Sequence, residues 1–182
     1  MMNRESDVHL GHINLAKSFN GAGDHFVGLV EALQQAGVEQ HVLVRNETLA
    51  KRISAVPGVV VGPLVRSAVT AYCLMPHRDL VHIHDLTAGQ AGLLLTLTRS
   101  IPYILSNSSA ASTQYPLTQA IFRRARCIVC SDDSEASIVR HFDPSLPIEI
   151  VAPTVYGRSA EEWLRVYQNS QRIPIAGNNG IQ

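Results

Sequence analysis

The 182-residue sequence predicts an α/β protein, a single Rossmann-like domain whose mostly parallel sheet of about seven strands carries helices on both faces. Three observations predict it. Short β-branched or apolar runs alternate with helix-period segments along almost the whole chain. The first unit reads strand, glycine-rich turn, amphipathic helix and glycine stop. The length suits one domain able to bury a core without disulfide or metal staples.

Taken in order, Val8 to Leu15 forms the first strand and leads into Asn20-Gly21-Ala22-Gly23-Asp24. Phe26, Leu29, Val30 and Leu33 then recur at i, i+3, i+4 and i+7 until Gly37, which is helical spacing. His41 to Val44 is a second strand, Glu47 to Ala55 a short helix, and Val59 to Val61 a third strand between Pro57-Gly58 and Gly62-Pro63. A helix over Arg66 to Leu74 precedes a strand at Leu80 to His84, ending at Asp85. The helix from Ala88 to Leu97 is rich in small residues, and Tyr103 to Leu105 is the fifth strand. A serine-rich loop, Ser106 to Thr113, follows. Then come a helix near Pro116 to Arg124, a strand at Cys127 to Cys130, a helix over Ser134 to Phe142 and a strand at Ile148 to Val151. The tail carries one more amphipathic helix, Ala160 to Tyr167, and an end expected to fray. Residues 1–156 are read as the Rossmann unit and 157–182 as a C-terminal helix and tail without a separate domain.

Charge and composition exclude several classes. Fifteen basic residues balance fifteen acidic ones and do not cluster, so the footprint of a nucleic-acid binder is missing. The opening residues are polar where a secretory signal needs an apolar core, and no apolar run approaches the roughly 20 residues of a membrane span. Three cysteines do not make a disulfide framework, and a cytoplasmic location is expected. Cys127 and Cys130 spell C-x-x-C, but residues i and i+3 of a strand face opposite ways, which makes them buried small hydrophobes rather than a redox pair.

Four features could carry chemistry. The turn with Gly21 and Gly23 offers a helix N-terminus to a phosphate or sugar hydroxyl, or is simply a tight turn. A dinucleotide site is the weaker reading, because Phe26 stands where the third glycine belongs and the second strand ends in Arg45-Asn46 without a ribose-binding acid. His82 reads as a buried, hydrogen-bonded core histidine, whereas His84 and Asp85 fall at the ligand-binding edge of the sheet, where an imidazole can bind a hydroxyl or act as a base. His82 and His84 could share a metal, yet no third ligand stands at a characteristic spacing, so none is assigned. Ser106 and Asn107 begin a polar loop at the same edge, with a plain surface loop as the alternative. Neither a G-x-S-x-G elbow nor a Walker A loop occurs, which argues against an α/β-hydrolase and a P-loop NTPase.

Six segments fall in a recognisable order: Asn14-Leu15-Ala16, Gly21-Ala22-Gly23-Asp24-His25, Asp79 to Asp85, Ile101-Pro102-Tyr103-Ile104, Ile128-Val129-Cys130-Ser131 and Val151-Ala152-Pro153. In that order the chain, from about His9 to Thr154, resembles the N-terminal, acceptor-side domain of family 4-like glycosyltransferases of the two-Rossmann GT-B architecture. The family usually has Gly-Gly-x-Glu after the first strand, for which Gly21, Gly23 and Asp24 stand in, and a cleft histidine at the end of the fourth strand, which His84 matches. Val155-Tyr156 runs straight into Gly157-Arg158-Ser159, so no second, donor-binding Rossmann unit is expected in this chain. Ser159 to Trp163 looks like the final helix that returns to the N-terminal domain.

The resemblance implies an acceptor-side half of a glycosyl transfer system for cell-surface polysaccharide or lipopolysaccharide, with no cofactor of its own. A glycan or glycolipid would be the acceptor, and a nucleotide sugar would be reached through a partner chain or self-association. His84 and Asp85 are the implied catalytic residues, and Gly21, Gly23, Asp24, Ser106 and Asn107 the substrate-binding ones. Peripheral attachment at the inner face of the cell membrane fits such an acceptor. The alternative is a non-catalytic glycan-binding or interaction module derived from such an enzyme.

Overall fold

The computed structural model describes residues 8–106, 116–152 and 160–172. Strands and helices alternate: β1 His9–Asn14, α1 Gly21–Gln35, β2 Glu39–Val44, α2 Glu47–Ser54, β3 Val60–Val61, α3 Ala68–Leu74, β4 Leu80–Ile83, α4 Leu86–Arg99, β5 Tyr103–Ser106, α5 Pro116–Arg124, β6 Cys127–Cys130, α6 Asp133–Phe142, β7 Ile148–Ile150 and α7 Ala160–Arg172. Short polar side chains start the helices: the carboxamides of Asn20 and Asn46, the hydroxyl of Ser67 and the carboxylates of Asp85 and Asp132 each accept a first-turn N–H. Helix α1 stops at Gly37, whose φ of 80° lets Val38 N–H reach Leu33 C=O. The seven strands form one sheet, all parallel, in the order β3-β2-β1-β4-β5-β6-β7.

That order dictates the layers. From β1 the chain steps one way across the sheet to β2 and β3, then jumps back past β1 and steps the other way from β4 to β7. Right-handed crossovers therefore place α1 and α2 on one face and α3 to α6 on the other. The buried clusters agree. Ile13, Leu43, Val81, Ile83, Tyr103, Leu105, Ile128 and Cys130 pack under α3 to α6, while Val42 and Val44 pack under α1 and α2. On the second face this leaves β4, β5 and β6 without a crossover helix. Helix α7 covers them: Trp163, Val166 and Tyr167 are buried with Leu80, Ile104 and Val129, and with Leu29 and Leu33 of α1.

The sequence-based elements stand within a few residues of those observed. Strand β2 begins at Glu39 because its ladder runs opposite His9 of β1, and α7 continues to Arg172, well past the last apolar residue. The loop from Asn107 to Thr113, the segment from Pro153 to Ser159 and both chain ends lie outside the described residues. No helix among the described residues is long and apolar enough to cross a membrane.

Cys127 and Cys130 fall in clusters on opposite faces of the sheet, as residues three apart on a strand must. Burial pushes both thiols up to about 12, whereas Cys73 is exposed. A chromogenic thiol reagent is expected to titrate one cysteine in the native chain and three after denaturation; three rapid thiols in native buffer would contradict the packing. Truncating Tyr167 to alanine in α7 is expected to cost about 3–5 kcal/mol in urea denaturation, the usual loss for a buried aromatic ring.

Candidate functional site

The strand order reverses between β1 and β4, and at such a switch point the carboxyl ends of the strands open a crevice. A cleft of about 300 Å³ lies there. Asn14, His84, Ser106 and Val151 bring the ends of β1, β4, β5 and β7 to it. Gly23 and Phe26 of α1, Glu135 of α6 and Trp163 of α7 form its walls.

Three histidines meet beneath this cleft. His12 and His82 sit opposite each other on adjacent parallel strands and are fully buried, and His84, just past the end of β4, is half-buried. The His84 ring lies 4.1 Å from Phe26 and 3.8 Å from His82, centroid to centroid, and His82 in turn lies 4.8 Å from Trp163.

A hydrogen-bond chain fixes which nitrogens carry protons. The carbonyl of Val30 can only accept, so the Gln40 group 3.0 Å from it is the NH2, and Oε1 faces His12. Oε1 accepts from His12 Nε2 at 3.1 Å. In neutral His12, Nδ1 is then an acceptor, and it takes its hydrogen bond from His84 Nε2–H at 3.0 Å. The remaining ring nitrogen of His84, Nδ1, is left with a lone pair and no hydrogen-bond partner among the described residues. His82 is held separately, with Nδ1 3.0 Å from the Tyr167 hydroxyl and Nε2 2.6 Å from Ser106 Oγ.

Burial keeps all three imidazoles neutral. Desolvation holds His12 down at about 3, with the Gln40 hydrogen bond opposing it. His82 and His84 lie well below the ordinary histidine range, first through desolvation and then through mutual repulsion within the trio.

The residues expected from the sequence separate into groups. Gly23, His84, Asp85 and Ser106 do line the cleft. Asp85 serves the backbone there: one carboxylate oxygen accepts from Leu15 N–H at 2.6 Å and the other from Ala88 N–H at 2.9 Å, which clamps the exit of β1 to the start of α4. Burial raises its pKa against these hydrogen bonds. Gly23 is required by close approach, since a Cβ there would stand 2.7 Å from the Phe19 ring. Gly21 does not line the cleft, and Asp24 pairs with Arg52 of α2 on the surface. Asn107 lies outside the described residues. His12, Gln40, Phe26, Glu135 and Trp163 were not anticipated. Glu135 Oε2 accepts from both the N–H and the hydroxyl of Ser131, while its Oε1 is buried without a partner among the described residues.

Solved structures share this fold. A sucrose-phosphate synthase unit from Thermosynechococcus elongatus superposes with a TM-score of 0.63 at 15% identity, covering 87% of this chain and 97% of that one. Anabaena HepE, solved in complex with UDP-glucose, gives 0.67 at 9% identity over 88% of this chain and 49% of its own. A longer sucrose-phosphate synthase chain from Thermosynechococcus elongatus gives 0.62 at 16% identity, over 80% of this chain and 48% of its own. The chain thus spans about half the length of HepE and of the longer synthase. No protein-family profile and no curated protein sequence matches it. The fold shared with these structures is a Rossmann-like α/β domain.

The depressed histidine pKa values set the sign of the acid response. Between pH about 6.5 and about 3 the unfolded chain binds a proton at residue 12 that the folded chain refuses, so stability falls as pH drops through that window. Urea denaturation is expected to show a loss of about 2 kcal/mol between pH 8 and pH 5 from His12 alone, with His82 and His84 adding to it. A flat profile over that range would be incompatible with a buried neutral trio.

Proposed function

We propose that the chain is the acceptor-side half of a glycosyl transfer system, in which a nucleotide-sugar donor gives a hexose to a glycan or glycolipid of the cell surface. The observation that carries this reading is the cleft itself: a neutral imidazole with a lone pair on Nδ1, packed against an aromatic ring, in a cleft at the switch point of a glycosyltransferase-type fold that Glu135 also lines. Apolar rings and hydrogen-bond acceptors together suit the two sides of a sugar ring. HepE, which shares the fold, was solved with UDP-glucose bound.

In the proposed step the acceptor hydroxyl oxygen bonds to the anomeric carbon of the donor while the bond from that carbon to the diphosphate oxygen breaks. The hydroxyl proton passes to His84 Nδ1, and the nucleoside diphosphate leaves. His12 and Gln40 hold the His84 ring in the tautomer that can accept this proton, and Asp85 positions the strand exit beside it. Gly23 and Ser106 contribute to the acceptor cleft. The donor would be held by a partner chain or a second copy, at the inner face of the membrane if the acceptor is a glycolipid.

One observation favours a second reading. No lysine or arginine is among the described residues lining the cleft, so no cationic side chain described there would neutralise a diphosphate. A non-catalytic glycan-binding module would need no such cation.

Thermal unfolding with glycan acceptors, sugar nucleotides and nucleoside diphosphates separates these readings, because a ligand at one hundred times its Kd stabilises by about 2.7 kcal/mol. Stabilisation by acceptor glycans is expected, and none by any glycan would sink the acceptor-side assignment. Transfer of labelled sugar once a donor-binding partner is added supports catalysis; His84→Ala is then expected to lower kcat by about 10²–10⁴-fold. Glycan binding without transfer in any combination would favour the binding module.

A further inference from the structure

We propose that His12, His82 and His84 form a binding site for a divalent transition-metal ion of the zinc class, with its open coordination position toward the cleft. The sequence suggested a shared metal for His82 and His84 but offered no third ligand; the parallel register supplies it by setting His12 directly against His82. One ring nitrogen from each of the three residues lies within 4.8 Å of the others. His12 Nδ1 and His84 Nε2, at 3.0 Å, are already near the separation of about 3.3 Å that two nitrogens adopt on a tetrahedral ion with bonds of about 2.0–2.1 Å.

The surroundings are those of a ligand set. Metal-bound histidines characteristically donate their second nitrogen to a carbonyl or similar acceptor, which fixes the ring. His12 already donates Nε2–H to Gln40 Oε1, and Gln40 is itself anchored on the Val30 carbonyl. His82 has a hydroxyl at each nitrogen, Tyr167 at Nδ1 and Ser106 at Nε2, so one nitrogen can bind metal while the other keeps its partner. Three imidazoles with one open position are a known zinc arrangement. His82 and His84 line the cleft, which gives the ion a path inward.

Metal and proton compete for the same atom. To ligate through Nε2, His84 must give up the hydrogen it donates to His12 and carry its proton on Nδ1 instead. The occupied site would therefore present an N–H donor where the metal-free site presents a lone pair. This consequence concerns hydrogen-bonding polarity in the cleft and holds whether or not the chain transfers sugar.

The test uses the full chain without a histidine tag, stripped with a chelator and titrated with zinc chloride by calorimetry and with cobalt(II) by visible absorption. One zinc per chain, a rise in melting temperature and the intense absorption of tetrahedral cobalt are expected. Gln40→Leu is expected to weaken zinc affinity by about 10–100-fold and His84→Ala by more, while His77→Ala, at an exposed histidine outside the cleft, leaves it unchanged. Circular dichroism confirms that each variant is folded before it is titrated. His12 and His82 are fully buried, so the half-buried His84 carries the decisive substitution. Absence of binding, a cobalt spectrum without the tetrahedral band, or zinc affinity unaltered in folded His84→Ala would overturn the proposal.

Discussion

The handedness of the parallel crossover governs this molecule. Once the strand order reverses at β1, right-handed connections commit two helices to one face and four to the other, and the strands from β4 onward remain bare on one side. A parallel sheet must be covered on both faces. Helix α7 answers that requirement from the far end of the chain, laying Trp163, Val166 and Tyr167 on Leu80, Ile104 and Val129. The same reversal opens the crevice at the strand ends, so the imbalance that demands α7 and the cleft that could hold a ligand have one origin. Trp163 makes the link concrete, because it belongs to both the covering layer and the cleft wall.

Polar groups inside this covered face survive only because they satisfy one another. His12, Gln40 and His82 are fully buried, yet each is held by partners that leave their hydrogen-bonding capacity largely used. A buried neutral network of this kind costs little while intact, and it specifies ring orientation tightly. The Val30 carbonyl, a helix backbone atom, thereby determines the proton position on His84 through two intervening side chains. Charge never enters the arrangement, and the Asp85 carboxylate nearby is turned to backbone N–H groups.

Strand and helix identities were legible in the sequence because apolar runs alternate with glycine, proline and capping residues, all of which act locally. Boundaries were blurred where pairing rather than composition decides them, as at Glu39, which joins β2 only because His9 lies across from it. Within the site, His84 could be placed because strand ends are ligand edges in any open parallel sheet. His12 could not, since a lone histidine in an apolar strand carries no signal until the strand order sets it beside His82. The parity of β1 held a clue, for His12 and Asn14 share a face; β2 sets Val42 and Val44 against them, and only β4 brings a polar partner, His82. Asp24 and Asp85 both stand at helix starts, where helical and surface partners compete for a carboxylate, and here Arg52 engages the first and backbone N–H groups the second. Glu135 was hidden by its position in the first turn of α6, where it also caps the Ser131 N–H.

Helix α7 is joined to the rest of the described fold by side chains alone, through its buried rings, the Tyr167 hydroxyl on His82 and a long Arg165–Glu149 ion pair. No strand ladder ties it down. Such an element is the natural low-cost unit of local opening, and its amides would exchange with solvent sooner than those of β1 and β4. When it lifts, Trp163 leaves the cleft and His82 loses the hydroxyl at Nδ1 in a single event. Occupancy of the cleft and hydrogen-exchange protection of a helix that begins seventy-six residues after His84 are thus one equilibrium, and a ligand would make itself felt as slower exchange along α7.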